Sequence, residues 1–449
     1  MSIDEKSAMP ADKHDGISPA VDAPSDAFEV GEISKVDVKA ADPAFALVSG
    51  ERIEYSEEEG KSVLSKIQSH SANVILWGAV LTCTAATSNY AGLLSVRFFL
   101  GLFEATVTPA FVLITSMWYK QNEQARRMGY WLSCNGVTLI IMGVIGYGLS
   151  AITSSHLAPW KILFLILGPL TCATGIYCLF FMPDNQANAK FLSPRERQIA
   201  VERIRDNFQG IGSRVWKWDQ FREAFKDPRT YLYVLFSLLM NIPNGGITTF
   251  GSLVVSSFGF GSRNSLLLGT PSGVFDFGGK LFFTWISDKY MDRTGPAFIA
   301  ILFPMIGGIL MITTTAKPAL LIGYYMISVS GAAWGLVMVL ISNNTLGYTK
   351  KATVSGLQII AYGAGNWIGP QTFRSHEAPN YPTGKTLVAI MYGCSALTLL
   401  ALRLVNIMEN RRRNKMQTES GTMELTEEDE QNKFLDLTDF EQPHFRYVL

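Results

Sequence analysis

The sequence predicts an all-α integral membrane protein of about ten transmembrane helices, and three observations carry that prediction. Long apolar runs recur through residues 72–406, each close to the roughly 20 residues a helix needs to cross a hydrocarbon core about 30 Å thick. Hydrophobic residues make up 48% of the 449-residue chain and charged residues 17%, and the charges crowd into the two ends and one central segment. That segment, 183–230, divides the runs into four before and six after. Segregation of this kind marks a membrane chain rather than a soluble one of low polarity.

In order, the expected spans are 72–90, 91–118, 128–152, 160–182, 231–257, 265–286, 296–315, 319–343, 353–372 and 384–406. The second is the least uniformly apolar, because it carries Arg97 and Glu104. The fourth has no charge after Lys161. The fifth is interrupted by Pro243, Gly245 and Gly246, which predicts a broken helix with freed backbone groups. The sixth contains Asp276 and Lys280, the ninth a polar stripe, and the last has Arg403 near its end, where a snorkelling role is expected.

Five segments follow: a mostly disordered tail at 1–70 with a short helix at 56–67, a shortened helical bundle at 71–182, a loop at 183–230, a six-helix bundle at 231–406, and a tail at 407–449. From Arg411 onward that last tail is expected to be disordered like the first. The longest apolar stretch in the first tail is 44–48, so no cleavable signal peptide is expected. Lys and Arg separate between alternate loops: Lys120, Arg126, Arg127, the central segment, Lys289, Arg293, Lys350, Lys351 and Arg411 to Arg413 stand on one side, and Arg263, Lys317, Arg374 and Lys385 on the other. The richer side is expected to be cytoplasmic, together with both termini.

Ionisable groups inside spans are expensive and face a bundle interior or a watery cavity. Arg97 and Glu104, seven residues apart, share one helix face. Arg97 can bind a carboxylate through its planar fork of donors, and Glu104 can carry a proton; the alternatives are a snorkelling arginine and an interhelical hydrogen bond. Asp276 and Lys280, at i and i+4, read as a second ion pair, either structural or part of a substrate site. Asn241, Asn244 and Thr248 lie on one face of the fifth span, with Thr249 beside them, as a binding patch or as a hinge. Gln358, Tyr362 and Asn366 recur every four residues in the ninth span, a stripe able to meet that patch across a central cavity. Asn135, Asn343 and Asn344 are weaker candidates. Gly356, Gly363 and Gly365 are expected to permit close helix packing, and aromatic residues at helical spacing to be packing residues.

The five cysteines, Cys83, Cys134, Cys172, Cys178 and Cys394, fall in the expected spans without metal-ligand spacing, and the five histidines, His14, His70, His156, His376 and His444, lie outside the spans or at their edges. No metal or cofactor is expected. No phosphate-binding loop, HExxH site or nucleophile elbow is present, so an enzyme is not expected, and the mixed charges of 195–214 speak against nucleic-acid binding.

The segment Arg97-Phe-Phe-Leu-Gly-Leu-Phe-Glu-Ala105 is followed by Trp118-Tyr-Lys-Gln-Asn-Glu-Gln, Met182-Pro-Asp-Asn185, Phe191-Leu-Ser-Pro-Arg-Glu-Arg, Trp216-Lys-Trp-Asp-Gln-Phe, Asp227-Pro-Arg, Asn241-Ile-Pro-Asn-Gly-Gly-Ile-Thr, Asn366-Trp-Ile-Gly-Pro-Gln and Phe440-Glu-Gln-Pro-His-Phe-Arg-Tyr-Val-Leu449. In this order the chain resembles the major facilitator superfamily, and within it the fungal allantoate permease group of the anion:cation symporters. The resemblance implies two bundles rocking around a central site, proton-coupled import of small organic anions, and a plasma-membrane location, with a monomer expected. It also implies anion binding by Arg97 and proton coupling by Glu104. Aligned by these motifs, the first span corresponds to the family's third. The family's first two spans are therefore expected to be missing between His70 and Asn73, and a partial counterpart of their basic loop remains at Asp288-Lys289 and Arg293. A skipped exon, a nonfunctional splice form or a reduced transporter would each account for this, and a non-transporting sensor or partner is the alternative function.

Overall fold

The computed structural model describes residues 72–151, 157–181, 189, 191–202, 216–420 and 436–449, all within one compact unit, Ala41–Leu449. The expected tail at 1–70 with its short helix, the Met182–Asn185 match, residues 183–188, 190 and 203–215 of the central segment, and His14, His70 and His156 lie outside the described residues. Regular structure among the described residues is entirely helical.

The first group starts with α1 (Ala72–Thr84). It packs on α5 (Pro159–Phe181) with the backbones in contact. A Cβ on Gly168 would lie 2.0 Å from Thr82 Oγ1, and one on Gly78 would lie 2.6 Å from the Cys172 nitrogen. Small residues allow this approach in lipid, where packing rather than hydrophobic expulsion joins helices. The Cys172 thiol donates to the Ile75 carbonyl at 3.4 Å.

The expected second span is two helices, α2 (Tyr90–Glu104) and α3 (Val107–Trp118), joined by a turn at Ala105 and Thr106. Pro109 has no N–H for the Ala105 carbonyl, and Thr106 Oγ1 donates to the Phe103 carbonyl at 3.1 Å. Glu104 is thus the last residue of its helix. α4 (Gln121–Leu149) completes the group apart from α5. Between the groups stand α6 (Pro194–Glu202) and α7 (Trp218–Lys226). Ser193 and Glu196 begin α6 with reciprocal side-chain to backbone bonds.

The second group comprises α8 (Pro228–Ser256), α9 (Ser262–Leu268), α10 (Pro271–Tyr290), α11 (Thr294–Thr313), α12 (Lys317–Ile327), α13 (Ser330–Asn344), α14 (Tyr348–Gln371) and α15 (Pro382–Ser420). α8 is continuous through Pro243, Gly245 and Gly246, which corrects the expected break. α15 runs past residue 406 to Ser420, so the expected disorder from Arg411 is also corrected. Glu409 pairs with Arg413 at 3.0 Å one turn on, support of the kind that extends an exposed helix.

Among the described residues five rods are long and apolar enough to cross a membrane by length and composition: Asn122–Leu149, Pro159–Phe181, Thr294–Thr313, Lys317–Asn344 and Pro382–Glu419. α8, α10 and α14 reach 29, 20 and 24 residues, but they carry the polar candidates. The core lies around α13. The α12–α13 rod is mostly buried, whereas α5 is mostly exposed.

Candidate functional site

α8 and α14 form the most extensive helix pair among the described residues, because glycine thins both surfaces. A Cβ on Gly369 would lie 2.2 Å from the Ile242 oxygen, and one on Gly245 would lie 2.5 Å from the Asn366 oxygen. At this crossing Asn244 Nδ2 donates to Asn366 Oδ1 at 3.0 Å, and Asn366 Nδ2 donates to the Tyr362 carbonyl at 3.0 Å. The fifth-span patch and the ninth-span stripe therefore meet by direct contact, where the sequence suggested a meeting across a cavity.

The crossing sorts the candidates by depth. Asn241 is buried, donating to the Ser237 carbonyl at 2.7 Å, and Gln358 of α14 is buried as well. Asn244 and Asn366 are half-buried, while Thr248, Thr249 and Tyr362 are exposed. Thr248 Oγ1 donates to the Asn244 carbonyl at 2.9 Å. Among the expected packing glycines, Gly365 meets the Asn241 Cβ, whereas Gly356 and Gly363 face open space. Those two are corrected.

Arg97 and Glu104 are both exposed on α2. The Arg97 guanidinium lies 5.7 Å from the Phe164 ring centre on α5. Glu104 is in electrostatic range of Arg97 and also of Tyr362 on α14. Tyr362 in turn lies against Trp334 of α13, with ring centres 5.1 Å apart. Trp334 escaped sequence reasoning, since an aromatic at helical spacing reads as packing. A cation and a carboxyl group thus stand on α2, and two amides meet at the α8–α14 crossing, with the Tyr362 phenol one turn away on α14.

Asp276 and Lys280 do not join that set. Their 2.7 Å ion pair is buried, and Lys280 Nζ donates also to the Leu132 carbonyl of α4 at 3.0 Å. The pair belongs to the α4–α10 contact, where a Cβ on Gly136 would lie 2.5 Å from the Gly273 oxygen. Arg403 does not snorkel: it holds Asp292 at 2.7 Å and donates to Thr294 Oγ1. Asn344 serves the C-terminal segment, and Asn135 is exposed. Among the described residues no three His, Cys, Asp or Glu side chains group as metal ligands.

Apolar rods joined through glycine, with ionisable and amide groups gathered at a helix crossing, define a multi-pass helical membrane protein of the transporter class. The chain belongs to the Major Facilitator Superfamily, whose family model matches residues 71–370. It is 39% identical over 377 residues to an uncharacterized transporter of Schizosaccharomyces pombe, covering 84% of this chain and 73% of that one. To the allantoate permease of Saccharomyces cerevisiae it is 38% identical over 388 residues, covering 84% and 71%. A thiamine pathway transporter of the same yeast is 31% identical over 378 residues, covering 84% and 71%. The proton:xylose symporter XylE bound to 6-bromo-6-deoxy-D-glucose shares the fold at TM-score 0.58 and 12% identity, covering 75% of this chain and 79% of that one. The E. coli fucose:proton symporter FucP does so at TM-score 0.54 and 14% identity, covering 76% and 84%. Secondary transport is the activity of this class.

Proposed function

We propose that the chain carries small organic anions, carboxylates of the allantoate, nicotinate or pantothenate type, inward with protons by alternating access of its two bundles. Arg97 binds the anion and Glu104 carries the proton. Asn244, Thr248, Tyr362 and Asn366 complete the accessible polar wall, with Asn241 and Gln358 behind it. The protein works as a monomer in the plasma membrane with both termini in the cytoplasm. The observation that supports this reading is the placement of Arg97 and Glu104, both exposed on α2, together with the Asn244–Asn366 amide pair at the α8–α14 crossing. A carboxyl group on the same helix as the anion-binding arginine changes its interaction with that arginine when it takes up a proton, which is what coupling requires. The likeness to an allantoate permease supports an anionic substrate.

The test is uptake into proteoliposomes with an imposed inward proton gradient. Glu104→Gln is expected to abolish accumulation while leaving substrate exchange at equal concentrations, and Arg97→Lys to weaken apparent affinity by about tenfold or more, because a point charge replaces a bidentate fork. Full gradient-driven accumulation by Glu104→Gln would end the proton assignment.

A second reading, a non-transporting sensor or partner of a longer relative, draws on the exposure of Arg97 and Glu104 together with Leu93, Leu94, Phe98, Phe99 and Leu102 on the same helix. Uptake by the isolated chain in a strain lacking its relatives would dismiss it. Co-purification with such a relative, without uptake, would favour it.

A further inference from the structure

Two sequence motifs that the transport site does not use, Asp227-Pro-Arg229 and the segment from Phe440 to Leu449, meet in space although they stand about 210 positions apart. Asp439 and Lys350 are fully buried, and their side chains pair at 2.7 Å. Lys350 also holds Glu223 at 2.9 Å and Asp227 at 3.2 Å. Arg229 bonds Asp227 at 2.8 Å and Asp439 at 3.2 Å, and its guanidinium lies 3.7 Å from the Tyr447 ring centre. The Tyr447 hydroxyl donates to Asp439 Oδ2 at 2.6 Å. Three carboxylates, Glu223, Asp227 and Asp439, are thus shared between the two cations Lys350 and Arg229, with the Arg413 guanidinium on the Tyr447 hydroxyl beside them, and buried charge is tolerated only when it is paired in this way.

The backbone of the same segment is read as closely as its side chains. Asn344 forms a two-way clamp on Val448, donating to its oxygen and accepting from its nitrogen, both at 2.8 Å. Asn410 does the same to Tyr447, at 2.8 and 2.9 Å. Arg413 donates to the carbonyls of Asp439, Gln442 and Phe445. A Leu449 main-chain oxygen accepts from the nitrogens of Arg293 and Thr294 at the start of α11. Asp436 receives Lys217 at 3.0 Å and the Tyr348 nitrogen at 2.6 Å, which ties α7 and the start of α14 to the same strand of chain.

We propose that the second helix group carries a peptide-binding groove at the end where α8, α11 and α14 begin, and that residues 436–449 are its ligand, a detachable strap that locks α7, α8, α11, α13, α14 and α15 into one rigid body. The chemistry the groove takes is an extended acidic-aromatic peptide: a carboxylate for Lys350 and Arg229, an aromatic ring beneath Arg229, and a free backbone edge for Asn344 and Asn410. Amide side chains paired with both backbone groups of one residue reproduce a strand edge, which supplies affinity, while the charged network supplies selectivity.

The experiment uses the purified full-length protein and a chain shortened to end at residue 435, compared by thermal melting in detergent. The shortened chain is expected to melt lower by more than about 5 °C. Added synthetic peptide 436–449 is expected to restore that loss, and the same peptide carrying Asp439→Asn and Tyr447→Phe is expected not to. An unchanged melting temperature, or a restoration equal for both peptides, would overturn the proposal. If the shortened chain does not accumulate, hydrogen exchange on the intact protein decides. Asp439→Asn should release the amides of Arg293, Thr294, Tyr447 and Val448 at least about tenfold faster, leaving α4 and α5 unchanged. Unaltered protection at those four amides would equally refute it.

Discussion

Lys280 has two partners, and only one was visible from the chain. Its i,i+4 relation to Asp276 is local and legible, whereas the Leu132 carbonyl that it also reaches lies 148 positions away. Removing one member of a buried pair leaves the other uncompensated, at a cost of about 3–5 kcal/mol, while removing both costs far less. Lys280→Met should therefore lower the melting temperature sharply, and adding Asp276→Asn should recover most of the loss. Equal stability of Lys280→Met and the parent would show that the pair is not a buried ion pair. The Asn244–Asn366 bond is a smaller matter: a double-mutant cycle should give a coupling of about 0.6 kcal/mol, and at most about 1.7.

At the scale of elements, glycine placement decides which helices touch. Gly129, Gly136 and Gly143 recur every seven residues on α4, and each would place a Cβ within 2.5 Å of α10 or the residue before it: Thr284, the Gly273 oxygen and Thr270 in turn. A seven-residue repeat keeps one stripe on one partner over several turns. Gly101, in the Arg97–Ala105 motif, has open space around it. Gly136→Ala is thus expected to destabilise by about 1–3 kcal/mol through overpacking, whereas Gly101→Ala should be neutral or stabilising by up to about 1 kcal/mol. Thermal melts of the two variants check this, and the reverse order would mean that α4 and α10 are not in backbone contact. Most helix limits were readable, because hydropathy is a property of consecutive residues, but the expected first span ends early at Thr84, the sixth divides into α9 and α10, and the tenth runs on to Ser420. The turn at Ala105–Thr106 and the continuity of α8 through Pro243 were misjudged, since a proline's effect depends on whether neighbouring helices satisfy the freed carbonyl.

For the whole molecule, the charged network around the C-terminal segment sets a pH window. Burial acts to raise the Asp227 carboxyl, but Arg229 and Lys350 outweigh it and hold it below its ordinary range. Burial likewise acts to lower Lys350, and Asp439 and Asp227 outweigh that to hold it above its own. The Asp227 contribution is complete above a pH of about 4 and is lost as pH falls through the depressed value. The Lys350 contribution is complete below about 10.4 and is lost as pH rises through the elevated one. Melting temperature against pH should show a plateau between those limits, and Asp227→Asn should lower the plateau and flatten its acid edge. An acid edge identical in the variant would remove Asp227 from the network.

The sequence by itself determined that the chain is helical and membrane-spanning, where its rods lie to within a turn or so at most ends, and which ionisable groups stand inside them. Those properties follow from runs and periodicities within one helix. Only the tertiary structure decided that Asn244 meets Asn366, that Lys280 reaches Leu132, that Trp334 stacks against Tyr362, and that a segment read as a disordered tail is seated on Lys350, Arg229 and Asn344. Each of these joins residues far apart along the chain, and the register between two helices depends on how their surfaces fit. A short segment such as 436–449 gains its order from a groove built elsewhere in the chain, so its aromatic residues Phe440, Phe445 and Tyr447 acquire their meaning only from the partners that the fold supplies.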